Sequence, residues 1–232
     1  MSGTNGRRGS GRGRLVGVLL LAAVLAAIAL RFRARGPTDD AGEDSASREF
    51  TLLYGAQLTA DPAWQEVLRT AHSPAEAQEA VRQLTARGVV RLDDATLRAR
   101  AGILRTLLAS DPALCAAVAR GQATTATLAP AVMRLDTATR RTWYDVGAKA
   151  ILAELHRTPP PAADADATEE AFRTLLGRLP PEQRTRLRDV TAHAAGASDA
   201  DACAALRTLY DGAAELPDAQ GTLVLRALAR AS

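Results

Sequence analysis

The sequence predicts an all-α protein: a single N-terminal transmembrane helix followed by a globular domain of about eight or nine short helices. Three observations carry that expectation. Alanine is abundant and aromatics make up 3 % of residues, a balance that suits helix far better than strand. Apolar residues recur at steps of three and four, between Asp-Pro, Ser-Pro and Pro-Pro pairs of the kind that open helices. Nothing longer than Val89-Val90 reads as a strand.

The first element is the uninterrupted apolar run 15–30, LVGVLLLAAVLAAIAL. Sixteen residues rise about 24 Å as a helix, against a hydrocarbon core of about 30 Å. Phe32 extends the run, and Arg14 and Arg31 can snorkel to the two interfaces. A cleaved signal sequence is the competing reading, with Ala27-Ile28-Ala29 as its small-residue cleavage site. It would leave a mature end beginning Leu-Arg-Phe-Arg, and basic residues directly after a cleavage site are unusual. The expectation is therefore an anchor over residues 15–33 in contact with membrane lipid. Arg7, Arg8, Arg12 and Arg14 precede it and Arg31, Arg33 and Arg35 follow it. That small excess places the N-terminus inside and the remainder outside the cytoplasm.

Charge divides along the same boundary. Residues 1–36 hold seven arginines and no acid, so the overall +3 conceals a remainder of 22 basic against 26 acidic residues, a net of −4. The basic end suits anionic headgroups, and the acidic body argues against nucleic acid as a partner. Lysine occurs once, at Lys149, with arginine in its place elsewhere, as codon bias in a GC-rich bacterium would produce. Residues 1–14 are a basic Gly/Ser/Arg segment read as disordered. Its glycines follow no strand and so make no nucleotide loop. Residues 34–47, polar and acidic, read as a flexible tether.

The helical domain is expected over residues 48–232. Asp61-Pro62 opens a helix through Trp64, Val67 and Leu68. Ser73 with Glu76 forms a capping box for a helix carrying Ala77, Ala80, Val81 and Leu84 and stopping at Gly88. Asp93 caps the next, whose Leu97, Ala101, Leu104 and Leu108 form a core-facing stripe. Asp111-Pro112 starts a short helix through Leu114, Cys115 and Val118 to Gly121, and Pro130 begins another turn or two. Asp136 caps the longest, about residues 137–156. Its Trp143, Tyr144, Val146, Ala150, Ile151, Leu152 and Leu155 share no single stripe, so this helix is expected at the domain's centre.

Residues 157–168, RTPPPAADADAT, cannot continue a helix and read as a long surface loop or a boundary between two halves. Phe172, Leu175, Leu176 and Leu179 follow on one face. Pro180-Pro181 opens a helix to Gly196, Ser198 caps one with Cys203, Leu206 and Tyr210, and Pro217 begins the last.

Few residues suggest chemistry. The only cysteines, Cys115 and Cys203, read either as inert core thiols or as one disulfide across the proline break. His72, His156 and His193 form no metal-binding pair, and no metal or cofactor is expected. Asp189 and His193 stand four apart on one helix, where a carboxylate could orient a base; they are the weak catalytic candidates. Arg184, Arg186 and Arg188 are diluted by Glu182 and Asp189 and read as a solvated face. Glu169-Glu170 reads as a helix start, with acids placed to suit the helix dipole.

The function expected is therefore a binding or scaffolding module, held at the outer face of a bacterial inner membrane and contacting a protein partner in the envelope. The alternatives are an enzyme with a helical-bundle site of unfamiliar type and a cytoplasm-facing, membrane-tethered adaptor.

Overall fold

A computed structural model describes residues 40–162, 164–193 and 196–231. Among them every regular element is a helix, eleven in all, and none is a strand. In chain order they are α1 (Asp40–Ala60), α2 (Pro62–Thr70), α3 (Pro74–Val89), α4 (Asp94–Ser110), α5 (Pro112–Ala119) and α6 (Thr125–Met133). There follow α7 (Thr137–Leu155), α8 (Ala165–Arg178), α9 (Pro181–Ala192), α10 (Asp199–Glu215) and α11 (Asp218–Ala231). No helix among the described residues is long and apolar enough to cross a membrane. The anchor expected over residues 15–33 lies outside them.

The starts follow the capping chemistry read from the sequence. Asp61, Asp93, Asp111 and Asp136 each accept hydrogen bonds from amides of the first turn, and Ser73 and Ser198 do the same through their hydroxyls. The amide of Thr96 and its hydroxyl hold the Asp93 carboxyl below the ordinary carboxylate range, against the opposing effect of its burial.

Several local expectations are corrected. Helix α1 begins at Asp40, so the second half of the segment expected as a tether is helical, and Ala46 is buried. Its Phe50, Tyr54 and Leu58 stand four apart and pack on α7 and its neighbours. Pro130 lies inside α6 rather than at its start. That helix opens five residues earlier, with reciprocal hydrogen bonds between Thr124 and Thr127. Helix α3 ends at Val89, one residue past Gly88, and that glycine also stands where α3 crosses α7 so closely that a Cβ would lie 1.8 Å from the Ala150 carbonyl oxygen. Glu169 and Glu170 sit beyond the first turn of α8, which Asp164 caps, and pair with Arg173.

Helix α7 ends as its sequence suggests. Arg157 takes a left-handed φ of 51°, and the amide of Thr158 closes on the Ala153 carbonyl at 2.9 Å. The proline-rich residues that follow form a surface connection, and one core runs across it. That core joins Leu97, Leu104 and Leu108 of α4 to Val146 and Ala150 of α7, Leu175 of α8, Tyr210 of α10 and Val224 of α11. A second cluster sets Ile103 and Leu107 of α4 against Leu114, Val132 and Tyr144. A third packs Leu58, Trp64 and Leu84 around Ile151. Helix α7 is covered by α1, α3 and α4, as its scattered apolar residues imply. The helix common to both sides of the domain is nevertheless α4, which touches α5, α7, α10 and α11.

Arginines tie the chain reversals. Arg226 of α11 is 2 % exposed and donates to the Val90 and Leu92 carbonyls, at 3.2 and 3.1 Å, and to the Asp94 carboxylate at 2.6 Å. It thereby satisfies the orphan carbonyls at the end of α3 and the acid at the start of α4 in one contact. Arg140 does the same for the Leu135 carbonyl and Glu49. Arg91 does so for the Thr158 carbonyl and Glu154.

Two substitutions test this packing. Gly88→Ala should lower stability by about 1–3 kcal/mol through the clash with Ala150. Gly177→Ala, where an added Cβ meets nothing within 4 Å, should raise it by about 0.5–1 kcal/mol through helix propensity. Urea unfolding would read both, and equal effects at the two sites would refute the close crossing. Arg226→Ala should cost about 2–4 kcal/mol, because buried carbonyls lose a charged donor. Arg69→Ala, which removes a fully exposed pair partner, should leave the unfolding midpoint nearly unchanged.

Candidate functional site

The two weak catalytic candidates come together in an open trough of about 760 Å³ between α9 and the start of α10. Its wall follows from helical spacing: Glu182, Arg186, Asp189 and His193 step by four, three and four along one face of α9. Leu187, on the opposite face, is the only residue of that helix classed as buried. The far wall is Asp201, whose amide donates to the Ser198 cap at 3.1 Å. Arg120, at the end of α5, fixes the rim by donating to the Ala197 carbonyl and the Asp199 carboxylate, both at 2.6 Å.

The expected pairing of side chains is not formed. His193 places Nδ1 3.2 Å from the main-chain carbonyl of Asp189, not from its carboxylate. A carbonyl only accepts, so Nδ1 carries the proton and Nε2 is left as the acceptor. Such a base has no carboxylate behind it to hold its orientation or to stabilise its charged form. Thr185 is the only hydroxyl among the described lining residues, and it is exposed. Across the trough Arg186 stands 4.0 Å from Asp201, both more than half exposed. The surroundings can attract charged groups of either sign, and they remain in high dielectric.

The two cysteines meet elsewhere. Cys115 of α5 and Cys203 of α10 are joined, with S–S 1.99 Å and Cα–Cα 5.2 Å, across 88 residues of sequence. Cys115 is fully buried in the main core. Among the remaining histidines, His156 donates Nε2–H to Asp61 at 2.6 Å, linking the end of α7 to the cap of α2. His72 lies exposed. No group of three or more His, Cys, Asp or Glu among the described residues could hold a metal ion. Trp143 and Tyr144 belong to the core. Tyr144 packs edge-on against Phe50 at 5.9 Å, and burial pushes its hydroxyl pKa up to about 12.

Sequence reasoning passed over a second concavity, a groove of about 190 Å³ where α4, α10 and α11 meet, with Arg98 and Arg105 at its edges. Seven residues separate those arginines, two helical turns. Small residues Ala101 and Gly102 lie between them, a signal the sequence does carry. Searches against protein-family models, curated proteins and solved structures found nothing that matches this chain.

The bridge offers the measurement. Opening a loop of this length should cost about 4–5 kcal/mol in the chain-entropy account. Cys203→Ser, or reduction of the native protein, should therefore shift the urea midpoint strongly downward. An unchanged midpoint would mean that α5 and α10 are held by packing alone.

Proposed function

We propose that this protein is a single-pass component of a bacterial inner membrane, anchored through residues 15–33. Its helical body serves on the periplasmic side as a protein-binding or scaffolding module. The observation that carries the reading is the bond between Cys115 and Cys203. Such bonds persist in oxidising compartments and are rare where glutathione keeps thiols reduced. It sits in the same chain as a 16-residue apolar run flanked by arginines, with the excess on the N-terminal side. The mildly acidic body fits a protein partner better than nucleic acid or an anionic lipid surface. The detached His193 and Asp189 side chains favour binding over catalysis, since the trough holds no oriented base. Leu52 is 85 % and Leu53 40 % exposed on α1, apolar area available to a partner close to the membrane.

Fusions of alkaline phosphatase and of green fluorescent protein after Ser232 should give active phosphatase and dark fluorescent protein. The full-length chain should pellet with membranes and be released by detergent but not by salt. Unfolded in denaturant, its two cysteines should resist maleimide until a reductant is added. Bright fluorescence with inactive phosphatase would turn the topology round and make the body a cytoplasmic adaptor. Recovery in the soluble fraction would remove the anchor.

A further inference from the structure

We propose that the groove between α4, α10 and α11 is a binding site for a small aliphatic monocarboxylate. Its floor is apolar and close-set, because Ala101, Gly102, Ala213 and Gly221 keep side chains short where the three helices meet. A Cβ built on Gly102 would meet no atom within 4 Å, so the space above that residue is open. A guanidinium stands at each end of the floor on α4. Arg98 gives Nη1 to the Thr222 hydroxyl at 3.2 Å and stands 3.6 Å from the Asp218 carboxylate, which is 85 % exposed. Arg105 gives Nε to Asp211 at 2.7 Å. Each guanidinium has five N–H donors, and these contacts use a minority of them. The unused donors are the charged, planar kind that hold a carboxylate with two hydrogen bonds.

The second observation is independent of the arginines. Tyr210 is 5 % exposed, lines the groove, and its hydroxyl has no hydrogen-bond partner among the described residues. No fully buried side-chain N or O among them lacks a partner, so this hydroxyl is reached by solvent on a residue that lines the groove. A tyrosine hydroxyl on so buried a ring usually finds a protein partner. Here a ligand oxygen would supply it.

Size sets the class. A volume of 190 Å³ holds about six water-sized groups, which is the non-hydrogen atom count of a four-carbon acid. The carboxylate would take the arginine donors and the Tyr210 hydroxyl, and the alkyl tail would cover Gly102 and Leu225. Six non-hydrogen atoms bound the affinity at about micromolar.

Butanoate titrated into the purified full-length protein, followed by amide NMR, is the test. Saturable shifts are expected at Gly102, Ala214 and Gly221, with butanamide at least about tenfold weaker because it lacks the charge. Arg98→Gln and Arg105→Gln should each weaken butanoate about tenfold or more. Tyr210→Phe should weaken it several-fold. Gly102→Leu should fill the groove and abolish the shifts without lowering the thermal midpoint, since its Cβ has room and leucine favours helix. Equal responses to butanoate and butanamide would overturn the proposal. So would shifts confined to other residues, or binding that survives Gly102→Leu.

Discussion

Burial of one wide face of α4, shared by two cores, is the constraint on which the rest of the domain depends. Leu97, Leu104 and Leu108 enter one core, and Ile103 and Leu107, on the adjoining stripe of the same helix, enter another. Leu107 and Leu108 are each 1 % exposed. Each fully buried leucine contributes about 1.5–3 kcal/mol, so this one helix contributes to both cores at once. That is why the break at residues 157–168 does not divide the structure. The chain before it and the chain after it both close on α4. Helix α7, though longer, packs chiefly on helices of the first group, α3 and α4 above all, and reaches the second only through the shared core at Val146 and Ala150. The distinction between a helix surrounded on most sides and a helix shared by two sides is invisible to periodicity, which reports faces and not neighbours.

The arginine usage acquires a physical meaning once the helices are in place. Codon bias explains why the basic residue is arginine, and it does not explain where the side chains go. Arg91, Arg120, Arg140 and Arg226 each reach from one element to another and bind a main-chain carbonyl and a carboxylate together. Arg178 reaches the Glu215 carbonyl at 3.0 Å. A forked, five-donor group can serve two acceptors in different planes, which an ammonium on a flexible stem does less rigidly. A domain of eleven short helices has many frayed ends to satisfy. Here a share of that work falls to arginines distant in sequence rather than to local caps. The helix C-termini show it best, since glycine with positive φ closes only the turn at Gly121 among the described residues.

What could be read from the residues alone was local chemistry. The caps Asp61, Ser73, Asp93, Asp111, Asp136 and Ser198 were legible because each is a short polar side chain immediately before apolar periodicity, and the helix begins where that chemistry acts. Helix α1 was half hidden, since its first turns are the acidic, small-residue stretch DAGEDSAS, which composition assigns to a linker. The Phe50, Tyr54, Leu58 spacing was the available signal, but it locates only the second half. Gly88 marked the helix end to within one residue, and only the position of Ala150 reveals it as a contact surface as well. Arg226, in the run VLRALAR, looks like the polar side of an amphipathic helix. Its burial is decided by carbonyls more than 130 residues away in sequence.

The candidate trough illustrates how attachment limits chemistry. Helix α9 buries Leu187 alone, starts at Pro180 without a side-chain cap, and packs chiefly on α10. A helix held by so little apolar area belongs to the low-stability end of a domain and opens before the core does. Catalytic geometry demands the opposite, because a base and its orienting acid must stay within fractions of an ångström of their working positions. His193, bonded to its own helix's carbonyl on a loosely held terminus, meets that demand poorly. A contact surface has no such requirement: mixed charges on a yielding helix can adjust to a partner and then be ordered by it. The groove over Gly102 lies at the other extreme. It is floored by the helices that carry the core, with Tyr210 fixed by burial on one wall and two arginines a set two turns apart on the other. Rigid support of that kind is what recognition of a small ligand needs, and in this fold it is found beside α4 and not along α9.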